Sequence, residues 1–154
     1  MSHERLTNAA VEFMRSAHDR GNALKPGPDL DYSGTVAEDF VFEDRRSGGI
    51  SFGRTEGRAD FERLAATVWD AGSGRPVFSM RDIIAVRGER CAAYVLSLEY
   101  GSGMVSEWLN CVSLNSDRQQ LQRTVQLDVD SVDDAIALLD EWHAAFDDEP
   151  DTPS

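Results

Sequence analysis

Several charged and polar side chains interrupt apolar stripes on β-patterned runs, and such groups are the raw material of acid/base chemistry. In Asp39-Phe40-Val41-Phe42-Glu43-Asp44-Arg45-Arg46 side chains alternate in direction, so Phe40, Phe42, Asp44 and Arg46 share one face. At the end of an aromatic stripe, desolvation would raise the pKa of Asp44 towards the range of a general base, with Phe40, Phe42 and Arg46 bordering a substrate. The same spacing permits a plainer role, a rim ion pair with Arg45 or Arg46. Asp82 continues the face of Phe78, Met80, Ile84 and Val86, and either lines a site or is exposed at a bend. Glu107 shares a face with Val105, Leu109 and Cys111, and Arg123 with Leu121, Val125 and Leu127. Antiparallel pairing about Ser116 would bring the two together, as a catalytic and substrate-binding pair or as a cross-strand ion pair. Tyr94 can donate a hydrogen bond to a substrate oxygen or serve packing alone. Trp108 and Asn110 point the other way from Glu107, so these residues do not all line one pocket.

The elements that must position these groups follow from pattern. A first helix from about His3 to Arg20 carries the stripe Leu6, Ala9, Ala10, Phe13 and Ala17 and ends at Gly21. A short helix over Leu30 to Ala37 leads into the aromatic strand. Ser47-Gly48-Gly49 makes a hairpin turn, and Ile50 to Arg54 is the return strand. Gly57 breaks it, and Phe61, Leu64, Ala65 and Val68 recur at the spacing of one buried helical face. Four β-patterned runs follow, Pro76 to Arg87, Arg90 to Tyr100, Met104 to Asn115 and Gln119 to Val129, joined by turns short enough to force antiparallel neighbours. A last helix capped by Ser131 buries Ala135, Leu138, Leu139, Trp142 and Phe146.

Bulk properties set the frame. A chain of 154 residues suits one domain, read here as 1–146, followed by an acidic tail over 147–154. A formal net charge of −13 without a Lys/Arg cluster argues against nucleic acid as a partner. Cys91 and Cys111 sit in β-patterned runs and the N-terminal stretch is charged, which reads as cytosolic. No 18-residue apolar run predicts a membrane span. His3, His18 and His143 fall on predicted helices away from other ligand types, so no metal and no cofactor is expected. The long strands are apolar on both faces. Helices cover one face, and a second copy of the chain would cover the other, predicting a homodimer built on the outer face of the meander.

Glu38-Asp39-Phe40-Val41-Phe42-Glu43-Asp44-Arg45-Arg46, then Glu56-Gly57-Arg58-Ala59-Asp60, with Val105-Ser106-Glu107-Trp108-Leu109-Asn110 and Leu127-Asp128-Val129-Asp130, resemble the SnoaL-like polyketide cyclase branch of the nuclear-transport-factor-2-like superfamily. The likeness runs from Leu6 to Phe146. It implies an α+β fold, a cone-shaped curved antiparallel sheet of about six strands with three to four helices enclosing a pocket for a small apolar ligand. It further implies either a cofactor-independent lyase, isomerase or cyclase, with Asp44 and Glu107 as catalytic residues and Phe40, Phe42, Arg46, Asp82, Tyr94 and Arg123 around the substrate, or a non-catalytic ligand-binding or dimerisation module. A protein-binding role of the nuclear-transport type has the fold alone in its favour.

Overall fold

The computed structural model of the chain describes residues 6–23, 34–47, 52–71 and 76–147. Asn8 opens α1 (Ala9–Ala23), its Oδ1 accepting from the Val11 amide at 2.9 Å, so one of the amides a helix start leaves unpaired is satisfied. Its amide nitrogen donates to the carbonyls of Gly88 and Cys91 at 3.0 and 2.8 Å, so the same cap ties the helix to the sheet. The helix runs on through Gly21, which does not end it. The expected stripe holds in part: Ala10 is buried and Ala9 and Phe13 pack against the core, but Val11 and Met14 are buried as well, and Leu6 precedes the helix and is exposed.

β1 (Val36–Asp44) takes in Val36 and Ala37, where a short helix was expected; residues 30–33 of that helix lie outside the described residues. The hairpin tip at 48–51 does too. β2 (Arg54–Glu56) is the return strand, shorter and later than expected, with Thr55 opposite Phe42. Gly57 joins it directly to α2 (Arg58–Ala71). Its φ of +91° is a conformation that residues with a Cβ avoid, and it lets the Gly57 amide donate to the Phe40 carbonyl at 2.7 Å while its carbonyl accepts from Phe61 at 3.1 Å. Phe61, Leu64 and Ala65 face the sheet; the side chain of Val68 lies outside the description.

β3 (Val77–Arg87), β4 (Cys91–Glu99), β5 (Val105–Leu114) and β6 (Leu121–Leu127) form the expected antiparallel meander. The six-stranded order is β2-β1-β6-β5-β4-β3, and β1 runs parallel to β6, with Phe42 opposite Thr124 and Asp44 opposite Gln126. The sheet is therefore mixed rather than wholly antiparallel. Alternation fixes which residues share a face and says nothing of a partner's direction.

The two faces are covered separately. On the inner face α1 lies over β3, β4 and β5, α2 lies over β1 and β2, and the core there includes Phe40, Phe42, Tyr94, Leu96, Trp108 and Val112. On the outer face α3 (Val132–Asp147) packs Ala135, Leu138, Leu139 and Trp142 onto Cys91, Ala93, Leu109, Cys111 and Val125. The stripe of α3 is the one its sequence predicts. Its position supplies the cover for which a second copy of the chain was invoked, so the exposed apolar face that motivated the homodimer is absent over this area. Asp147 closes α3 and lies 3.8 Å from His143; the remainder of the acidic tail is outside the described residues. None of the described helices is long and apolar enough to cross a membrane.

Candidate functional site

Register places one polar row across the buried inner face. Asp44 on β1 stands opposite Gln126 on β6, Gln126 opposite Asn110 on β5, and Asn110 opposite Tyr94 on β4. Side chains directly opposite on one face lie about 5 Å apart at Cβ, so neighbours in this row are within reach of each other. All four residues are buried, Tyr94 completely and Asn110 to 3% exposure, and Phe42, Val112, Leu96 and Trp108 flank them.

At one end of the row the chemistry is closed. The Asp44 carboxylate accepts from Arg46 Nε and Nη2 at 2.9 and 3.0 Å, from the Arg46 amide at 3.1 Å and from the Phe52 amide at 2.8 Å. Burial pushes its pKa up, but the hydrogen bonds from Arg46 and Phe52, helped by the Arg46 charge, outweigh burial and hold the group below the usual carboxylate range. The raised pKa expected of a general base is thus reversed. The Arg46 guanidinium sits over the rings of Trp108 and Phe52, 4.5 and 5.2 Å from their centroids, which fixes the pair against the aromatic wall.

At the other end α1 contributes His18. Its Nε2 lies 2.8 Å from Tyr94 Oη, a hydrogen bond whose direction follows the imidazole tautomer, and Asn110 Nδ2 donates to the same oxygen at 2.8 Å. The ring of His18 stacks on Phe78 at 5.5 Å and meets Tyr94 edge-on. Burial lowers the His18 pKa to about 4 against the smaller opposing pull of Asp19, so the imidazole is neutral at pH 7. Burial likewise drives the Tyr94 hydroxyl well above its ordinary range.

Between the two ends, the buried atoms Asn110 Oδ1, Gln126 Oε1, Thr124 Oγ1 and Trp108 Nε1 have no hydrogen-bond partner, and neither has Thr55 Oγ1 on β2, beyond the Asp44 end. Thr124 and Thr55 flank Phe42 on the neighbouring strands, so they belong to the same inner face. β6, which carries Gln126 and Thr124, runs between the footprints of α1 and α2.

The remaining expected site residues lie elsewhere. Glu107 is exposed on the other side of β5 from Trp108, opposite Ser97. Arg123 is on the outer face opposite Ser113, its guanidinium 5.1 Å from the centroid of Trp142. Six residues of strand separate Ser113 from Glu107, roughly 20 Å, so the expected Glu107–Arg123 pair does not form. Asp82 is exposed within the first of two register shifts of β3, which place Ile83 rather than Ile84 on the inner face with Phe78, Met80 and Val86. Phe40 and Phe42 are buried against Phe61, at 5.0 and 5.4 Å between centroids. His18 was legible in principle, because Val11, Met14 and His18 recur at the spacing of one helical face. A separate hollow of about 360 Å³ at the start of α2, lined by Glu38, Glu56, Arg58, Asp60 and Arg63 among others, lies away from the row. Among the described residues no group of three His, Cys, Asp or Glu side chains is placed to hold a metal ion.

No family profile matches the chain, and no curated protein matches it in sequence. Solved structures do match its fold. An NTF2-like protein of unknown function from Mesorhizobium loti is 15% identical, with 77% of this chain and 89% of that one covered at a TM-score of 0.53. The Δ5-3-ketosteroid isomerase of a Mycobacterium species is 13% identical over 78% of this chain and 92% of its own, with a TM-score of 0.52. A computationally designed 17-OHP binder is 14% identical over 78% and 93%, with a TM-score of 0.56. The chain therefore has the nuclear-transport-factor-2-like α+β fold, a six-stranded curved mixed sheet with three described helices.

Proposed function

We propose that this protein binds a small, largely apolar molecule against the inner face of its sheet, as a relative of the SnoaL-like branch whose motifs its sequence resembles. One observation carries the reading: a row of buried polar groups crosses an apolar wall, and Asn110 Oδ1 and Gln126 Oε1 in it, with Trp108 Nε1 and Thr124 Oγ1 beside it, are unpartnered. Buried polar groups in folded proteins are almost always paired, because leaving one unpaired costs about 1–3 kcal/mol. A ligand with an apolar body and a polar end recovers that cost. The ligands and activities of the structural neighbours belong to those proteins; what supports the reading here is the row itself.

Proton transfer on a small apolar carbonyl compound, by a cofactor-independent isomerase, lyase or cyclase, is the second reading. Asp44 speaks against it, because Arg46 and Phe52 occupy the carboxylate. In its favour stands His18, a neutral imidazole joined through Tyr94 to Asn110. Native mass spectrometry of freshly purified protein tests the binding reading. A retained small molecule, released on denaturation, is the expected result. A ligand-free mass, with no uptake of a fluorescent naphthalene probe by the folded protein, would refute it.

A further inference from the structure

The unpartnered atoms have a hydrogen-bonding polarity, and it narrows the ligand beyond "apolar with a polar end". This step rests on the reading that the inner face binds a ligand. The amide nitrogen of Asn110 is committed to Tyr94 at 2.8 Å, which leaves Asn110 Oδ1 as an open acceptor. Gln126, its neighbour across the β5–β6 pairing, leaves Oε1 as a second. Trp108, two residues along β5 on the same face, leaves an indole N–H, which can only donate.

We infer that the buried end of the ligand is an uncharged hydroxyl, alcoholic or phenolic. A hydroxyl donates to an amide oxygen and accepts from the indole N–H at the same time. A ketone or an ether offers acceptors alone: it satisfies Trp108 and leaves both amide oxygens unpaired in an apolar wall. A carboxylate sets negative charge against two acceptor oxygens. Arg46, the cation over the Trp108 ring, is already held bidentately by Asp44 and is not free to neutralise it. For the same reason Asp44 has no uncompensated charge with which to recruit an ammonium group. Sites built to pair a substrate hydroxyl discriminate strongly against analogues that lack it, because the protein's own groups are then left unsatisfied.

The test is a ligand series titrated into the full chain by calorimetry: 2-naphthol, 2-methoxynaphthalene, 2-acetylnaphthalene and 2-naphthoate, which share one apolar body. 2-Naphthol is expected to bind about tenfold or more tightly than each of the others. In Gln126→Met, with folding verified by circular dichroism, that preference should fall towards unity while affinity for 2-methoxynaphthalene is kept. Binding of the ether, ketone or carboxylate as tight as that of 2-naphthol would overturn the hydroxyl assignment and leave the inner face as a binding site. Retention of the full preference in folded Gln126→Met would overturn it as well. If none of the four binds, the binding reading falls and this inference with it. Should Gln126→Met not fold, the wild-type series still decides.

Discussion

His18 makes stability depend on pH in a window where few other side chains titrate. Its pKa falls from the ordinary 6.5 to about 4, chiefly through burial between α1, Phe78 and Tyr94. In the unfolded chain the same imidazole takes up its proton near 6.5. Above that pH both states are neutral and the contribution is fully present. Between about 6.5 and 4 the unfolded state is protonated and the native state is not, so stability declines as pH falls, and below about 4 the dependence flattens. At about 1.36 kcal/mol per pKa unit the whole displacement corresponds to roughly 3 kcal/mol, of which about 2 are lost between pH 7 and pH 4.5. That is a large part of the 5–15 kcal/mol typical of a domain.

The perturbation to make is His18→Gln, which keeps a hydrogen-bonding group near Tyr94 and removes the titration. Urea melts of wild type and variant at pH 7, 5.5 and 4.5 should show the wild type losing about 2 kcal/mol more than the variant across the series. Asp44 and Glu43, whose contributions are lost as pH falls through and below the ordinary carboxylate range, are present in both proteins and cancel in the comparison. An imidazole chemical shift with a midpoint near 4 should accompany the melts. Parallel stability curves for the two proteins, or a His18 midpoint at 6 to 7, would refute the burial and hydrogen-bonding assigned to this ring.

Asp44→Asn should destabilise the protein at neutral pH by about 3–5 kcal/mol, measured by denaturant melts, because it strands Arg46 against Trp108 and Phe52. Because the Asp44 pKa is depressed, its contribution is present above the ordinary carboxylate pKa and is lost as pH falls further, so the wild-type and Asn curves should converge in acid. Tyr94→Phe leaves His18 Nε2 and Asn110 Nδ2 without their shared partner and should cost about 1–3 kcal/mol. Cys91 and Cys111 are free and buried, with burial pushing their thiols up to about 11 and about 12; Ellman's reagent should titrate neither in the native protein at neutral pH and both after denaturation. Light scattering of the intact chain should give a monomeric mass, since α3 covers Cys91, Ala93, Leu109, Cys111 and Val125 of the outer face; a dimeric mass would refute this and point to the exposed Val77 and Val105 end of that face.

The long strands were legible because their β-patterned runs extend for nine or more residues in β3, β4 and β5, and the short turns between them admit one connection. α1 was legible as a helix, and its buried face only in part: Ala9, Ala10 and Phe13 meet the core as expected, and Val11 and Met14 join them. Ala9, Ala10, Val11, Phe13 and Met14 are apolar around much more than one face, and packing against β3 and β4 chose among them. β3 misled for a backbone reason: two register shifts within Met80 to Ala85 change the phase of alternation, and Asp82 falls within the first of them and is exposed. Asp44 was found in the right place with the wrong electrostatics. Alternation puts it beside Phe42 and Arg46, whereas the amides that complete its cage include Phe52 on the far side of the hairpin. Asn110 and Gln126 carried no signal as a pair, because their adjacency depends on the β5–β6 register.

The parallel contact of β1 with β6 does the most to shape the inner face. Had the first hairpin joined the meander at the free edge of β3, Asp44 would lie beside apolar Ile83 or Met80, and Gln126 would stand at an open sheet edge in water. Joined at β6, the hairpin buries Gln126 and Thr124 between two strands, and α2 arrives with it to cover β1 and β2. α1 is held to the opposite side by the Asn8 cap on Gly88 and Cys91. α3 is the remaining described helix, and its stripe is spent on the outer face. The strand left between the helices is the one whose inward side chains are an amide and a hydroxyl, and these lie next to the open oxygen of Asn110. Among the described residues, hydrogen-bonding capacity thus collects on the strand that lies between the footprints of α1 and α2.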